Sequence, residues 1–134
     1  MKRLALIIAA LFALCACRKE VPDEKFILDD EVKLMMDDVT LLSYAPATCQ
    51  IAYNSDNNFF VICTDNLSDY VTIELSETPR EEGQTVYGNI LWATDAHGID
   101  ARRNVALQVV KIQGDKVWLW NSNGGIKAVI RLLV

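Results

Sequence analysis

The chain has 134 residues, about the length of one domain, and its 18 acidic side chains against 13 basic ones leave a formal charge of −5. This acidic balance excludes a protein that holds nucleic acid on a broad basic surface. The hydrophobic content of 51% excludes a disordered chain, although part of that content lies in residues 1–16.

The N-terminal segment has the order of parts that is typical of a secretion signal. Lys2 and Arg3 precede an apolar run from Leu4 to Ala16, and charge resumes directly after Cys17. The apolar run is shorter than the roughly 17 to 25 residues that a transmembrane helix needs. We therefore expect residues 1–16 to be a signal peptide that is removed from the mature chain.

The end of this run, Leu14-Cys15-Ala16-Cys17, resembles the lipobox of bacterial lipoproteins, in which an aliphatic, a variable and a small residue precede a cysteine. The resemblance implies cleavage before Cys17 and acylation of that cysteine. Cys15 fits the pattern less well, because Leu14 is too bulky for the small-residue position. Several acyl chains anchor a protein stably, since each buried CH₂ contributes about 0.8 kcal/mol. The implied location is the bacterial cell envelope, at the outer membrane.

The residues after the cysteine partly resemble the surface-export signal of Bacteroidetes-type lipoproteins, in which a lysine and two acidic residues follow the lipidated cysteine. Lys19 and Glu20 match this pattern, and Val21 stands where the second acid belongs. The periplasmic face and the cell surface therefore both stay open as locations. The resemblance suggests a small all-β lipoprotein of this kind.

We divide the chain into a signal peptide at 1–16, a lipidated cysteine with an acidic tether at 17–28, and a single β-rich domain at 29–134. Acidic residues cluster between 20 and 38, whereas residues 101–134 carry basic groups and a single acid, Asp115. Either the acidic segment is a solvated tether, or it docks on the basic sheet in the absence of a partner. High salt would weaken docking, because it screens exposed charge pairs.

Two cysteines remain after the lipidated one, and the oxidising cell envelope allows such a pair to persist as a disulfide. Cys49 and Cys63 lie in two apolar segments on either side of the polar run 54–58, which predicts a β-hairpin. With the tip in the middle of that run, Ile51 faces Val61 and Cys49 faces Cys63. We predict a disulfide between these cross-strand neighbours, worth about 3 kcal/mol in the chain-entropy model.

Hydrophobic spacing predicts a mainly β fold. Leu28, Val32, Met35, Met36 and Val39 recur at helical spacing, which predicts a short amphipathic helix at roughly 29–39 that caps the sheet or binds a partner. The predicted strands are 47–53, 58–64, 70–76, 84–93, 102–112, 116–121 and 126–133. We expect an antiparallel β-sandwich or small barrel of about seven strands with one short N-terminal helix.

Tight turns near Gly114 and Gly124 predict that the last three strands form a meander with two distinct faces. Simple alternation assigns a core face to Ala106, Gln108, Val110, Ile112, Val117, Leu119, Ala128, Ile130 and Leu132. The opposite face is both aromatic and basic, and it is our candidate ligand-binding site: Lys111, Trp118, Trp120, Lys127 and Arg131. Such a face suits a sugar ring or an anionic ligand. The structural alternative is that the tryptophans lie under another element while the basic side chains extend along them.

We find no motif that indicates catalysis, and His97, the only histidine, is interpreted as a loop residue. We therefore expect no enzyme activity, no cofactor and no metal site. The expected function is that of a lipid-anchored envelope module that binds a glycan, an anionic ligand or a protein partner. The alternative is a structural or assembly subunit of an envelope complex that docks through a helix or a sheet edge, such as the apolar C-terminal strand if that strand is uncovered.

Overall fold

The computed structural model describes residues 22–44, 49–53, 59–66, 69–123 and 125–132. These residues form one antiparallel sheet of nine strands and a single-turn helix, α1 (Glu24–Ile27). The strands are β1 (Val32–Met36), β2 (Val39–Tyr44), β3 (Cys49–Tyr53), β4 (Phe59–Asn66), β5 (Asp69–Leu75), β6 (Thr85–Thr94), β7 (Gly98–Gln113), β8 (Lys116–Asn121) and β9 (Ile126–Arg131). Their order across the sheet is β2, β1, β9, β8, β7, β6, β5, β4, β3. The predicted signal peptide and Cys17 lie outside the described residues.

The sheet curls into a half-barrel. β2, at one edge, contacts β4, β5 and β6 across the inside of the curl. The concave face holds the main apolar core, which includes Leu34, Leu42, Ile73, Leu75, Val86, Ile90, Leu107, Val117, Leu119 and Ile130. Curling lets one sheet cover both sides of its own core, so the mainly β fold predicted from the sequence is confirmed.

All seven predicted strands are present, with ends that differ by a few residues. The register of β3 and β4 is the predicted one, with Ile51 opposite Val61 and Cys49 opposite Cys63. β9 lies between β1 and β8, so the C-terminal strand is covered by a neighbour on each side. His97 lies in the turn between β6 and β7, as the loop interpretation expects.

The predicted helix at 29–39 is wrong, because this segment is the hairpin of β1 and β2. Asp37 and Asp38 both have positive φ, and they join Met36 to its cross-strand partner Val39. A two-residue hairpin turn of the primed type needs positive φ at both central residues, and Asp tolerates that conformation better than most residues. The apolar spacing that suggested a helix also fits a strand in which Val32 and Leu34 are buried.

A bulge between Val109 and Lys111 overturns the predicted core face of β7, and a second bulge lies earlier in that strand. In the β6–β7 pairing the register shifts between Gly88 and Ile90, opposite the part of β7 where Asn104 has a positive φ. In the β7–β8 pairing the register shifts between Val109 and Lys111. Each bulge inserts one extra residue and moves the following side chains to the opposite face. The core side chains of β7 are therefore Val105, Leu107, Val109 and Ile112. Ala106, Gln108 and Val110, assigned to the core by simple alternation, are not part of it.

No helix among the described residues is long and apolar enough to cross a membrane.

Candidate functional site

The convex face of β7, β8 and β9 carries all five candidate residues. Trp118 lies opposite Lys111 on β7, and Trp120 lies opposite Lys127 on β9. Arg131 lies opposite Lys116, which shares its face with Trp118 and Trp120 because side chains alternate along a strand. The structure therefore brings the predicted aromatic and basic residues together on one surface.

Trp118 is covered by α1. Its side chain is 3% exposed, and its indole Nε1 donates a hydrogen bond of 3.0 Å to the carbonyl oxygen of Phe26. The ammonium groups of Lys111 and Lys116 each lie 5.1 Å from the centroid of the Trp118 ring. Trp118 is thus placed as the structural alternative predicts, beneath a helix with basic side chains along it.

The short helix α1 forms because its sequence caps and anchors it. Asp23 is the N-cap, and its carboxylate accepts a hydrogen bond from the backbone N–H of Lys25. Phe26 is buried against Trp118 and Val129. A single turn has little stability of its own in water, so this apolar contact holds it in place. The predicted tether at 17–28 therefore ends earlier than expected, since its last residues pack on the sheet.

The acidic segment docks on the basic sheet, which is the second of the two interpretations considered for it. Asp38 pairs with Lys127 at 3.1 Å, and the backbone carbonyl of Asp29 accepts a hydrogen bond of 2.9 Å from Lys116. The Asp29 carboxylate also pairs with Lys33, its neighbour on the same segment. The Lys127–Asp38 pair is exposed on the Asp38 side, so it contributes about 0–1 kcal/mol, whereas the Lys33 and Asp29 side chains are both mostly covered. These polar contacts orient the segment, and the buried Phe26 adds an apolar attachment to β8 and β9.

The charges at this junction shift two pKa values. Partial burial alone would raise the pKa of Asp29, but hydrogen bonds from the Lys33 ammonium and the Glu31 N–H, with the nearby positive charges, leave it below 3.8. Burial lowers the pKa of Lys116 below 10.5, against the opposing effect of the neighbouring carboxylates, of which Asp30 is the largest. The shift of Lys116 reflects the contact between the acidic segment and β8, whereas that of Asp29 comes mainly from Lys33 and Glu31 on its own segment.

Beside α1, Trp120 forms one wall of a cleft of about 430 Å³, which we call the Trp120 cleft. Its lining comes from the residues just before α1, the β1–β2 turn, β8, the β8–β9 turn and β9: Pro22, Asp23, Asp37, Asp38, Trp120, Ser122, Gly125 and Lys127. Gly125 has a φ of +64°, and a Cβ there would overlap the Asp37 carboxylate. A glycine is therefore required where the two turns meet, and it keeps this end of the cleft open.

Two of the five candidate residues, Trp120 and Lys127, line this cleft. Arg131 is at the other end of β9, where its Nε lies 2.7 Å from a carboxylate oxygen of Asp115. Lys111 lies along Trp118, outside the cleft. The acidic residues of the lining, Asp23, Asp37 and Asp38, were not predicted from the sequence, because they come from the start of α1 and from the β1–β2 turn, whose position depends on the pairing of β1 with β9. Ser122 lies in the local β8–β9 turn and was also not singled out.

The lining determines which ligands the cleft suits. Three carboxylates, Asp23, Asp37 and Asp38, face a single ammonium, that of Lys127, which is already paired with Asp38. This charge distribution disfavours an anionic ligand. Among the described residues, no group of three or more His, Cys, Asp or Glu side chains is arranged to hold a metal ion. Carboxylates, a hydroxyl and an ammonium beside a half-buried indole suit a neutral, hydroxyl-rich ligand with one apolar face.

Comparison with known protein families, curated proteins and solved structures finds no match to this chain.

Proposed function

We propose that this protein is a bacterial envelope lipoprotein, anchored through Cys17, that binds a neutral glycan in the Trp120 cleft without catalysis. The observation that carries the glycan assignment is the lining of the cleft, in which Trp120 stands beside Lys127, Ser122 and the carboxylates of the β1–β2 turn. A pyranose ring has an apolar face that packs on an indole and hydroxyl groups that hydrogen-bond to carboxylates.

The anchor and the cleft are close together in the sequence. Cys17 precedes Pro22, the first cleft residue, by five positions. A fully extended chain spans at most about 3.6 Å per residue, so a lipid on Cys17 would hold the cleft within roughly 20 Å of the membrane. The acidic lining favours a cleft that faces water, since the headgroups of anionic lipids would repel it. The proposed role is therefore capture of a glycan near the membrane surface, on the periplasmic or the external side.

Metabolic labelling with palmitate tests the anchor. We expect the label in the wild-type protein and its loss in the Cys17→Ser variant. Cys15→Ser is the matched control and should keep the label. We also expect globomycin to leave an uncleaved precursor in the membrane. Label in the Cys17→Ser variant, or none in the wild type, would contradict the proposal.

Glycan-array binding with the Trp120→Ala variant tests the cleft. We expect the loss of the aromatic wall to weaken binding by about two- to tenfold beyond the effect of the lost contact area, because aromatic contacts contribute about 0.5–1.5 kcal/mol in addition to the area that they bury. Tyr87→Ala is a matched control, since Tyr87 is an exposed aromatic residue of β6 outside the cleft. Equal loss in both variants, or no loss in Trp120→Ala, would refute the assignment.

We also propose that Cys49 and Cys63 form a disulfide across the β3–β4 hairpin. The register supports this proposal, since the two residues are directly opposite each other. Mass mapping under non-reducing conditions should find the two peptides linked. Two free thiols in the purified mature protein would contradict it.

The alternative function is that of an assembly subunit that docks by strand addition. β3 supports it, because β4 is its only neighbour in the part of the sheet that the structure describes. The helical form of this alternative loses its basis, since residues 32–44 are a hairpin. Cross-linking in intact cells from a photoreactive residue at Gln50 on β3 would report a protein neighbour if this alternative is correct.

A further inference from the structure

A second cleft of about 420 Å³ adjoins the Trp120 cleft on the other side of Lys127. The two clefts share three residues, Asp23, Asp38 and Lys127. The second cleft extends away from Trp120 along β1 and β2, past Met35 and Thr40. The two clefts therefore adjoin at these shared residues and form one groove, and we call the Lys127–Asp38 pair at the junction the ridge.

The second cleft differs from the first in its chemistry. Met35 supplies most of its apolar surface, since Phe26 is 3% exposed, and Thr40 contributes a hydroxyl. Lys25 and Lys33 contribute two ammonium groups that the first cleft lacks. It has no counterpart of the Trp120 indole, so an apolar ring face has a poorer surface to stack on. A ligand unit in the second cleft would gain binding energy from contact with Met35 and from hydrogen bonds. This contribution adds to that of a neighbouring unit stacked on Trp120.

The ridge itself suits a ligand that passes over it. The Lys127 ammonium lies 6.0 Å from the centroid of the Phe26 ring, and its side chain is mostly covered. The Asp38 side chain is 85% exposed. The ridge therefore offers a positioned donor next to an accessible acceptor, between two clefts that each fall within the usual size range of ligand pockets.

We infer that the groove takes a linear oligosaccharide, with one subsite on Trp120, a second beside Met35 and Thr40, and the Lys127–Asp38 pair beneath the linkage between them. This inference rests on the proposed glycan-binding function and extends it, because it requires a chain of sugars and not a single one.

Binding should therefore depend on the length of the glycan. The probes are linear gluco-, manno-, xylo-, galacto- and N-acetylglucosamine oligosaccharides of one to eight units, and the full mature lipoprotein is presented in detergent micelles. For the series that binds, we expect affinity to rise at least tenfold between one and about four units and then to level off.

The Thr40→Trp variant separates the two subsites. Thr40 is exposed on β2, so the larger side chain fills the second cleft without entering the core. We expect this variant to lose the gain from chain length and to bind the shortest ligands as the wild type does. Val39→Trp is the matched control, since Val39 is also exposed on β2 and lines neither cleft.

The outcomes distinguish this inference from the proposed function. The two subsites are supported if Thr40→Trp loses the length dependence and Val39→Trp keeps it. Both variants should also melt near the wild-type temperature. Binding that is independent of length, or unchanged in Thr40→Trp, overturns the second subsite and leaves glycan binding at Trp120 intact. No binding to any of the five series overturns both.

Discussion

Replacing Phe26 by alanine tests whether one side chain holds α1 on the sheet. Phe26 is 3% exposed and packs against Trp118 and Val129, whereas Leu28, just beyond the helix, is 66% exposed. Burial of a phenylalanine side chain contributes roughly 1.5–3 kcal/mol. Because a single turn has little stability of its own, we expect this loss to appear as local opening of α1 and not as unfolding of the sheet.

Trypsin cleavage after Lys25 measures this opening, since the peptide bond to Phe26 is accessible only when α1 has detached. A loss of about 1.5–3 kcal/mol corresponds to a roughly 10- to 150-fold higher cleavage rate in the native state. Leu28→Ala is the matched control in the same segment, and its effect should stay within about 0.5 kcal/mol, or roughly twofold. Equal acceleration in the two variants, an unchanged rate in Phe26→Ala, or melting of the sheet together with α1 would refute the reasoning.

Three further predictions concern the edges of the sheet and the docked segment. The folded protein holds the pKa of Asp29 below 3.8. The ionised carboxylate therefore stabilises the folded state above about pH 4, and this stabilisation is lost as the pH falls through the folded pKa. We expect acrylamide quenching of tryptophan fluorescence to rise below about pH 4. Gly125→Ala should lower the free energy of unfolding by about 1–3 kcal/mol in a thermal melt, because Gly125 has a positive φ and a Cβ there overlaps the Asp37 carboxylate. Gly114→Ala is the control, since Gly114 has a φ of +63° and open space around it. It should cost only the backbone strain, about 1 kcal/mol. Reduction of the proposed Cys49–Cys63 disulfide should lower stability by up to about 3 kcal/mol, and an unchanged melting temperature after complete reduction would contradict that bond.

The sequence predicts those parts of the fold that depend on short-range signals. The polar run 54–58 predicts a hairpin between β3 and β4, and the observed register places Cys49 opposite Cys63 as expected. Val71, Ile73 and Leu75 alternate as a strand with one buried face should, and all three are buried. Each of these signals lies within one strand or one turn, so no knowledge of distant partners is needed.

The misassigned elements depend on backbone geometry that composition does not specify. Asp37 and Asp38 resemble the acidic residues of a helix surface, but they occupy a tight hairpin turn with positive φ. In β7 the apolar residues occur at both odd and even positions between 105 and 110, so either alternation fits a buried face. Gln108 was the available signal, since a polar residue among apolar ones favours the face away from the core.

The candidate site was only partly predictable for a different reason. Trp120 and Lys127 share a face through the local pairing of β8 and β9, which the predicted meander implies. Besides Ser122 and Gly125 of the local β8–β9 turn, the rest of the Trp120 cleft comes from the residues just before α1 and from the β1–β2 turn. Their position depends on the pairing of β1 with β9, between the two ends of the chain. Simple alternation carries no information about such a contact.

The pairing of β1 with β9 also affects when the protein can fold. Trp118 and its hydrogen-bond partner Phe26 are 92 positions apart in sequence, and β9 follows Trp118. Contacts between such distant segments carry a large loop-closure entropy and slow the folding reaction. During synthesis or translocation from the N-terminus, the first hairpin emerges long before the strand that it pairs with. The hairpin and α1 can therefore take up their places only after β9 has emerged, and until then the edge of β1 that pairs with β9 stays open to other chains or to a chaperone.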